Sequence, residues 1–211
     1  MKLYSYWRSS ASWRVRIALH LKKLEYETVT VSLIADGGRQ NSDDYSAINP
    51  QNLVPALVLA DGTKFTQSLA IIDWLESTYP DPALLPHDTI SRAHVLAAAL
   101  AIAVDIQPIN NLRVVKMLSA QFGADADAKA AWSKHWIEIG FNAFNELISP
   151  GPFAFGNRPT LADICLIPQL YNARRVGLDL EPWPRLLAIE AACKALPAFS
   201  AAAPEAQPDA I

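Results

Sequence analysis

"YWRSSASWRVRIAL", residues 6–19, joins two periodicities, and the way they meet decides the fold. From Lys2 to Trp7 apolar residues alternate with small or polar ones and aromatics are frequent, which predicts a strand. Downstream, Ile17, Leu21 and Leu24 share one face at helical spacing, and Val15, Ala18 and Leu19 widen it. A helix with so broad a face can pack on a sheet and on a second layer at once. Ser12 is its expected N-cap. Between strand and helix stand Ser9 and Ser10, hydroxyls aimed at a helix start, where unpaired N–H groups favour an anion. Such turns also take small hydroxyl residues for geometric reasons, so the pair reads either as an anion site or as capping.

Working outward, "EYETVTVSL", residues 25–33, is a β-branched strand, which makes the opening unit βαβ. A polar loop with a glycine pair, "DGGRQNSDDY", leads to a short segment and then to strands over Ala56–Leu59 and Lys64–Thr66. Asp61-Gly62 between them is a hairpin signal. Ile71, Ile72, Leu75 and Tyr79 then recur at helical spacing until Pro80 stops the run. The order βαβ-α-ββα describes a small mixed sheet with helices on its faces. "PDPALLPHD", residues 80–88, carries three prolines and cannot continue a helix. The expected organisation is therefore a first domain over 1–80, a linker over 81–88 and an all-helical domain over 89–211. Helices are predicted at about 89–120, 125–148, 160–175 and 185–197, the third opened by a capping box of Thr160 and Asp163. The tail "AAAPEAQPDAI" is expected to be loose.

The chain has 211 residues, 51% hydrophobic and 18% charged, enough for real cores in one large domain or two small ones. A net charge of -3 and a pI near 5.8 argue against nucleic acid or an anionic membrane as the main partner. "MKLYSYWRSS" lacks the pattern of a secretory signal, and no uncharged apolar run approaches the roughly 20 residues of a membrane span, so a soluble cytoplasmic protein is expected. Cys165 and Cys193 are far apart and form no CxxC, which suggests small core residues rather than a disulfide or zinc site. His20, His87, His94 and His135 form no metal spacing, and no metal is expected. Trp132 and Trp136, four apart, read as a packing pair.

Two further places can carry chemistry. Val54-Pro55 directly precedes a strand, and an X-Pro bond is the peptide type for which cis is accessible. Cis geometry would turn the Val54 backbone outward to pair with an extended peptide; an ordinary trans proline opening an edge strand fits the residues equally. Gln67-Ser68 begins a helix, so the Ser68 hydroxyl and the free N–H groups suit a carboxylate, or simply cap.

These residues carry a resemblance. "SSASWRVRIAL" resembles the S-S-C-x-W-R-V-R-I-A-L signature of the zeta class of glutathione transferases, the class that includes maleylacetoacetate and maleylpyruvate isomerases. "NPQNLVPALVL", "QSLAIIDWLE" and "TLADICLIPQLYNARR" are similar to matching segments of that family in the same order, over nearly the whole chain. The resemblance implies a thioredoxin-like domain that binds glutathione, an all-helical domain that supplies most of an acidic-substrate site, a homodimer, and a cis Pro55. By position it implies a glutathione site lined by Ser9, Ser10, Ala11, Ser12, Trp13, Arg14, Gln40, Val54, Gln67, Ser68, Gln107, Asn111, Leu112 and Arg113. Val54 would pair with the cysteinyl part; Gln67 and Ser68 would take the γ-glutamyl end. Ala11 departs from the family, which has cysteine there, so no protein thiol joins the chemistry.

The activity implied is glutathione-dependent cis-trans isomerisation of a maleyl dicarboxylate, with glutathione regenerated as a cofactor. Ser9 is the expected hydroxyl donor to the sulfur, Ser10 the second, and Arg8 and Arg175 the cations for the substrate carboxylate and developing enolate. Arg174 is expected to be solvated or salt-bridged. Gln107 stands where maleylpyruvate isomerases carry histidine, which favours maleylacetoacetate, in aromatic amino-acid breakdown. The alternatives are maleylpyruvate, a transferase or dehalogenase acting on small halo acids, and a glutathione-binding module without turnover.

Overall fold

Strand β1 (Lys2–Ser5) pairs in parallel with β2 (Glu27–Thr30) and antiparallel with β3 (Ala56–Val58), and β4 (Lys64–Thr66) closes the order β2-β1-β3-β4. These are features of a computed structural model that describes residues 1–210. The hairpin between β3 and β4 turns at Asp61-Gly62, where Gly62 takes φ +87, a conformation that favours glycine. Pro55 lies just before an interior strand, and the Val54–Pro55 peptide is cis. Asp81–Pro82 is also cis.

Helix α1 (Ser10–Leu21) begins one turn earlier than its expected cap. Ser9, in extended conformation, is the N-cap, and its Oγ accepts from the Ser12 N–H at 3.3 Å. Ser12 is instead fully buried inside the first turn. The start shifts because the Ser9 N–H already closes a turn onto the Tyr6 carbonyl at 3.0 Å, leaving Ser9 as the first residue free to cap. Val15, Ile17, Ala18 and Leu19 of α1 are buried along with Ile71, Ile72 and Leu75 of α3 (Ser68–Thr78). Between β2 and β3 the polar loop forms two 3-10 turns and a short helix α2 (Asp43–Ser46) capped by Ser42.

Arg14, Arg16 and Lys22 are all buried in this layer, and the partners of the last two tie it together. Lys22, its side chain fully buried, donates to the Tyr79 and Pro82 carbonyls at 2.6 and 3.0 Å and pairs with Glu76 at 2.8 Å, tying the end of α1 to the end of α3. Arg16 reaches the other way, to the Ala202 carbonyl at 3.0 Å. The tail is thus ordered rather than loose: α9 (Pro197–Ala202) and the 3-10 turn Pro204–Ala206 pack back, with Phe199, Ala202 and Pro204 buried. By compactness the chain divides into Met1–Ala83 joined by the chain from Ala195 on, and Leu84–Lys194. The expected second domain over 89–211 therefore gives up its last stretch to the first unit.

The second unit is helical: α4 (Thr89–Leu100), α5 (Leu112–Phe122), α6 (Ala126–Leu147), α7 (Leu161–Arg175) and α8 (Pro184–Lys194). The helix predicted over 89–120 is two helices. α4 widens into π-type turns over Ala101–Ile106, Pro108 cannot continue the ladder, and Asn111 restarts it by capping α5 through Oδ1 to the Arg113 N–H at 3.1 Å. The helix predicted over 185–197 ends at Lys194, because Pro197 opens α9. Asp163 anchors the start of α7 by accepting from the Thr160 N–H at 2.7 Å, its hydroxyl at 3.0 Å and the Ala154 N–H at 2.8 Å. Cys165 and Cys193 are both buried, and burial pushes the Cys193 thiol far up. Trp132 and Trp136 meet edge to face at 5.8 Å.

Candidate active site

In the four-stranded sheet, β1 and β4 run the same way, and each is followed by a helix, α1 and α3. Both helices therefore start at one edge of the sheet. β3 runs against them and starts at that same edge, with Val54-Pro55 just outside it. The registers Tyr4 to Ala56 and Ala56 to Thr66 put Tyr6, Val54 and Ser68 in line there by extension of the pleat. Tyr6, Trp7, Val31, Tyr45 and Val54 form one buried apolar cluster beneath this edge.

Each polar group at this edge has a definite state. Among the described residues, Ser9 Oγ takes part only as an acceptor, from the Ser12 N–H. A hydroxyl used that way keeps its proton for a ligand. Ser10 and Ser68 are buried at the first positions of α1 and α3. No hydrogen bond engages the Val54 backbone among the described residues, which leaves a donor and an acceptor for an extended ligand. Gln67 holds φ 66 and ψ 118, a conformation costly for any residue with a side chain, and its Nε2 donates to Gln51 Oε1 at 2.6 Å. Arg8 lies over the Trp7 ring at 5.1 Å.

The other expected residues belong to α1, to the loop after β2 and to the second unit. Ser12, Trp13 and Arg14 are buried in the first turns of α1, with Ser12 at 0% and Arg14 at 1% exposure. Ala11 is half-buried next to the cap, with only a methyl to offer. Gln40 follows the positive-φ Gly38, and its half-buried side chain has an Oε1 without a partner. In the second unit, Gln107 ends the π-type turns, Asn111 caps α5, and Leu112 and Arg113 are exposed in its first turn. Arg175 is exposed in the last turn of α7, near Asn172 Oδ1 at 3.5 Å. Arg174 is held in a two-pronged pair by Glu190, Nη1 donating to Oε1 at 2.7 Å and Nη2 to Oε2 at 2.5 Å.

Several supporting residues gave little sequence signal. Tyr45 and Asn49 both donate to the Leu53 carbonyl, at 2.7 and 2.6 Å, and fix the loop that presents Val54. Burial pushes the Tyr45 phenol far up, so it stays a donor at any ordinary pH. A cleft of about 650 Å³ bounded by His20, Lys23, Tyr26 and Gln207 shares no residue with this edge.

Family profiles match both parts of the chain. The N-terminal-domain profile of the family described as Glutathione S-transferase matches residues 3–83, and its C-terminal-domain profile matches residues 130–192. A probable maleylacetoacetate isomerase of Vibrio cholerae is 48% identical over 99% of this chain and 97% of its own length. A solved holo structure of a maleylpyruvate isomerase, described as a bacterial zeta-class glutathione S-transferase, superposes with a TM-score of 0.96 at 47% identity, covering 100% of both chains. A maleylacetoacetate isomerase from Anaeromyxobacter dehalogenans, solved with glutathione in its active site, gives 0.89 at 45% identity, covering 100% of this chain and 97% of that one. The chain belongs to the glutathione S-transferase family, in its zeta class.

Proposed function

We propose that the protein is a glutathione-dependent cis-trans isomerase that converts maleylacetoacetate to fumarylacetoacetate in tyrosine and phenylalanine breakdown. One observation carries the reading: the cap of α1 is a hydroxyl whose proton is uncommitted, at the edge where Val54 offers free backbone groups and Ser68 opens a second helix. That donor set fits glutathione, with a sulfur for Ser9, a peptide for Val54 and a terminal carboxylate for Gln67 and Ser68.

When bound, glutathione supplies a sulfur nucleophile that adds reversibly to the maleyl double bond, so that rotation about a single bond can precede its loss. Ser9 donates its proton toward the sulfur, and the first N–H groups of α1 add the field of a helix start; both favour the ionised form. Ser10 is the second hydroxyl at this turn. Val54 fixes the cysteinyl backbone, while Gln67 and Ser68 hold the γ-glutamyl end. Gln40, Gln107, Asn111, Leu112 and Arg113 complete the cofactor site by family position. Arg8 and Arg175 meet the substrate's carboxylate and the charge that develops on its carbonyl oxygen. Ala11 adds nothing ionisable, so the serine carries the activation alone.

The protein works as a cytoplasmic homodimer. Along α4 and the turns after it, Ile90, Ala93, Ala97, Leu100 and Val104 are exposed at alternating spacings of three and four, the seam of a helix that packs on another. Thr89–Ile106 is also apolar enough to span a membrane by length, but Arg92 and Asp105 lie within it, which favours a protein partner for this face.

Purified protein with maleylacetoacetate and a trace of glutathione should give many turnovers per glutathione. Maleylpyruvate, dichloroacetate and a chloro-dinitro aromatic acceptor, run in parallel, should react more slowly. No glutathione-dependent loss of the enol absorbance would end the proposal, and a faster rate on maleylpyruvate would change the substrate.

A further inference from the structure

The turn that carries Ser9 is clamped from two sides by residues outside it. On one side, Arg16, fully buried, donates from Nη2 to the Trp7 carbonyl at 2.8 Å and from Nη1 to Ser5 Oγ at 3.0 Å, with the Tyr6 carbonyl at 3.4 Å. On the other, Asp209 Oδ2 accepts from the Trp7 N–H at 3.0 Å across 202 residues of sequence. The Tyr6–Trp7 peptide is thus held at its N–H by Asp209 and the following Trp7–Arg8 peptide at its carbonyl by Arg16, and the plane after that carries the Ser9 N–H. Ala210 packs on the apolar cluster that holds Tyr6, Trp7 and Val54, so the tail covers the floor of both cofactor contacts. Arg16 also donates to the Ala202 carbonyl, which links the two grips.

From this arrangement we infer that Asp209 is a positioning residue: its carboxylate fixes the Trp7 peptide so that the Ser9 hydroxyl is held toward the glutathione sulfur. A surface turn of Tyr6, Trp7, Arg8 and Ser9 closed only by the Ser9 N–H to Tyr6 carbonyl bond would be free to rock about that bond. Rocking would spread the Ser9 proton over several directions and weaken the bond it makes to sulfur. The charges around the clamp are consistent with a fixed geometry. Burial draws Arg16 down to about 10, while Tyr26 and Asp209 oppose that fall, so the guanidinium stays charged at neutral pH.

The inference rests on the thiolate reading proposed above, and the test separates the two. In the 211-residue protein, the thiolate absorbance of bound glutathione is titrated for wild type, Asp209→Ala and Asp209→Asn, and in parallel for a chain ending at Pro208. Melting curves and the split between kcat and KM for glutathione are recorded alongside. Asn keeps an acceptor oxygen and removes the charge, so Asp209→Asn should titrate within about 0.3 unit of wild type. Asp209→Ala and the shortened chain should titrate about 0.5–1 unit higher, with kcat at pH 7 lowered about three- to tenfold and KM changed less than about twofold. Variants that melt earlier but titrate like wild type would overturn the inference and leave the thiolate reading standing. Loss in Asp209→Asn equal to that in Asp209→Ala would also overturn it. A wild-type protein that does not lower the glutathione thiol at all would remove both.

Discussion

Ser9 has two jobs at one atom, and replacing it by alanine separates them. As a cap, Ser9 Oγ accepts from the Ser12 N–H at 3.3 Å, a long bond, so its loss should cost about 0.5–1 kcal/mol, the low end for N-caps. For a chain of 211 residues that lowers the melting temperature by about 1–4 °C. As a donor to a sulfur anion, the hydroxyl makes a charge-assisted bond worth about 1.5–3 kcal/mol. At about 1.4 kcal/mol per unit, the bound thiol of Ser9→Ala should titrate about 1–2 units higher, with about 10- to 100-fold less thiolate at pH 7. The N–H groups of α1 remain, so the pKa should stay below that of free glutathione. Ser9→Asp makes the contrast sharper: a carboxylate caps well and restores the melting temperature, yet its charge should repel the thiolate further. Ser9→Thr should keep both functions. Melting curves and a titration of thiolate absorbance read the two effects independently. A Ser9→Ala protein that melts earlier but titrates like wild type would refute the donor role.

Three other perturbations follow from the packing. Lys22→Met removes the cation that faces buried Glu76 and the donor to two carbonyls, and should cost about 3–5 kcal/mol in denaturant unfolding; Lys22→Met with Glu76→Leu should recover most of it, and a single-variant loss below about 1 kcal/mol would contradict the buried pair. A methyl at Gly140 would stand 2.1 Å from Ile106 Cδ1, so Gly140→Ala should cost about 1–3 kcal/mol, relieved by Ile106→Val; an unchanged melting temperature would show that α6 is not packed so closely. Burial pushes the Glu190 carboxyl up, but bonds from Arg174 and Lys194 outweigh it and hold the group below its ordinary range. A depressed carboxyl stabilises the fold above its unfolded pKa and loses that contribution as pH falls through the folded value. The stability gap between wild type and Glu190→Gln should therefore be constant near neutrality and shrink from about pH 4.5 downward; a gap independent of pH would contradict it.

Much of the fold was legible because local pattern and tertiary demand agree there. The strand into Ser9, the Asp61-Gly62 hairpin and the Ile71, Ile72, Leu75 face all read the same way in isolation and in the packed unit. What the pattern missed depends on contacts between distant residues. The cap moved from Ser12 to Ser9 because a backbone turn onto Tyr6 closes first, and three serines in four residues look alike without it. The tail read as loose from its alanines and prolines, yet Arg16, an ordinary helix cation by sequence, reaches Ala202 and holds it. The helix read over 89–120 ran through Pro108, because the widening of α4 that precedes the break has no local signature. At the site, the hydroxyls and Val54-Pro55 stood out by chemistry, whereas Tyr45, Asn49 and Asp209 act through backbone groups that carry no residue code.

A structure of the protein with glutathione bound tests the central claim most directly. The sulfur is expected within about 3.5 Å of Ser9 Oγ, with the cysteinyl N–H and carbonyl paired to the Val54 backbone. A sulfur turned away from residue 9, its charge met by neither that hydroxyl nor the first N–H groups of α1, would contradict the account.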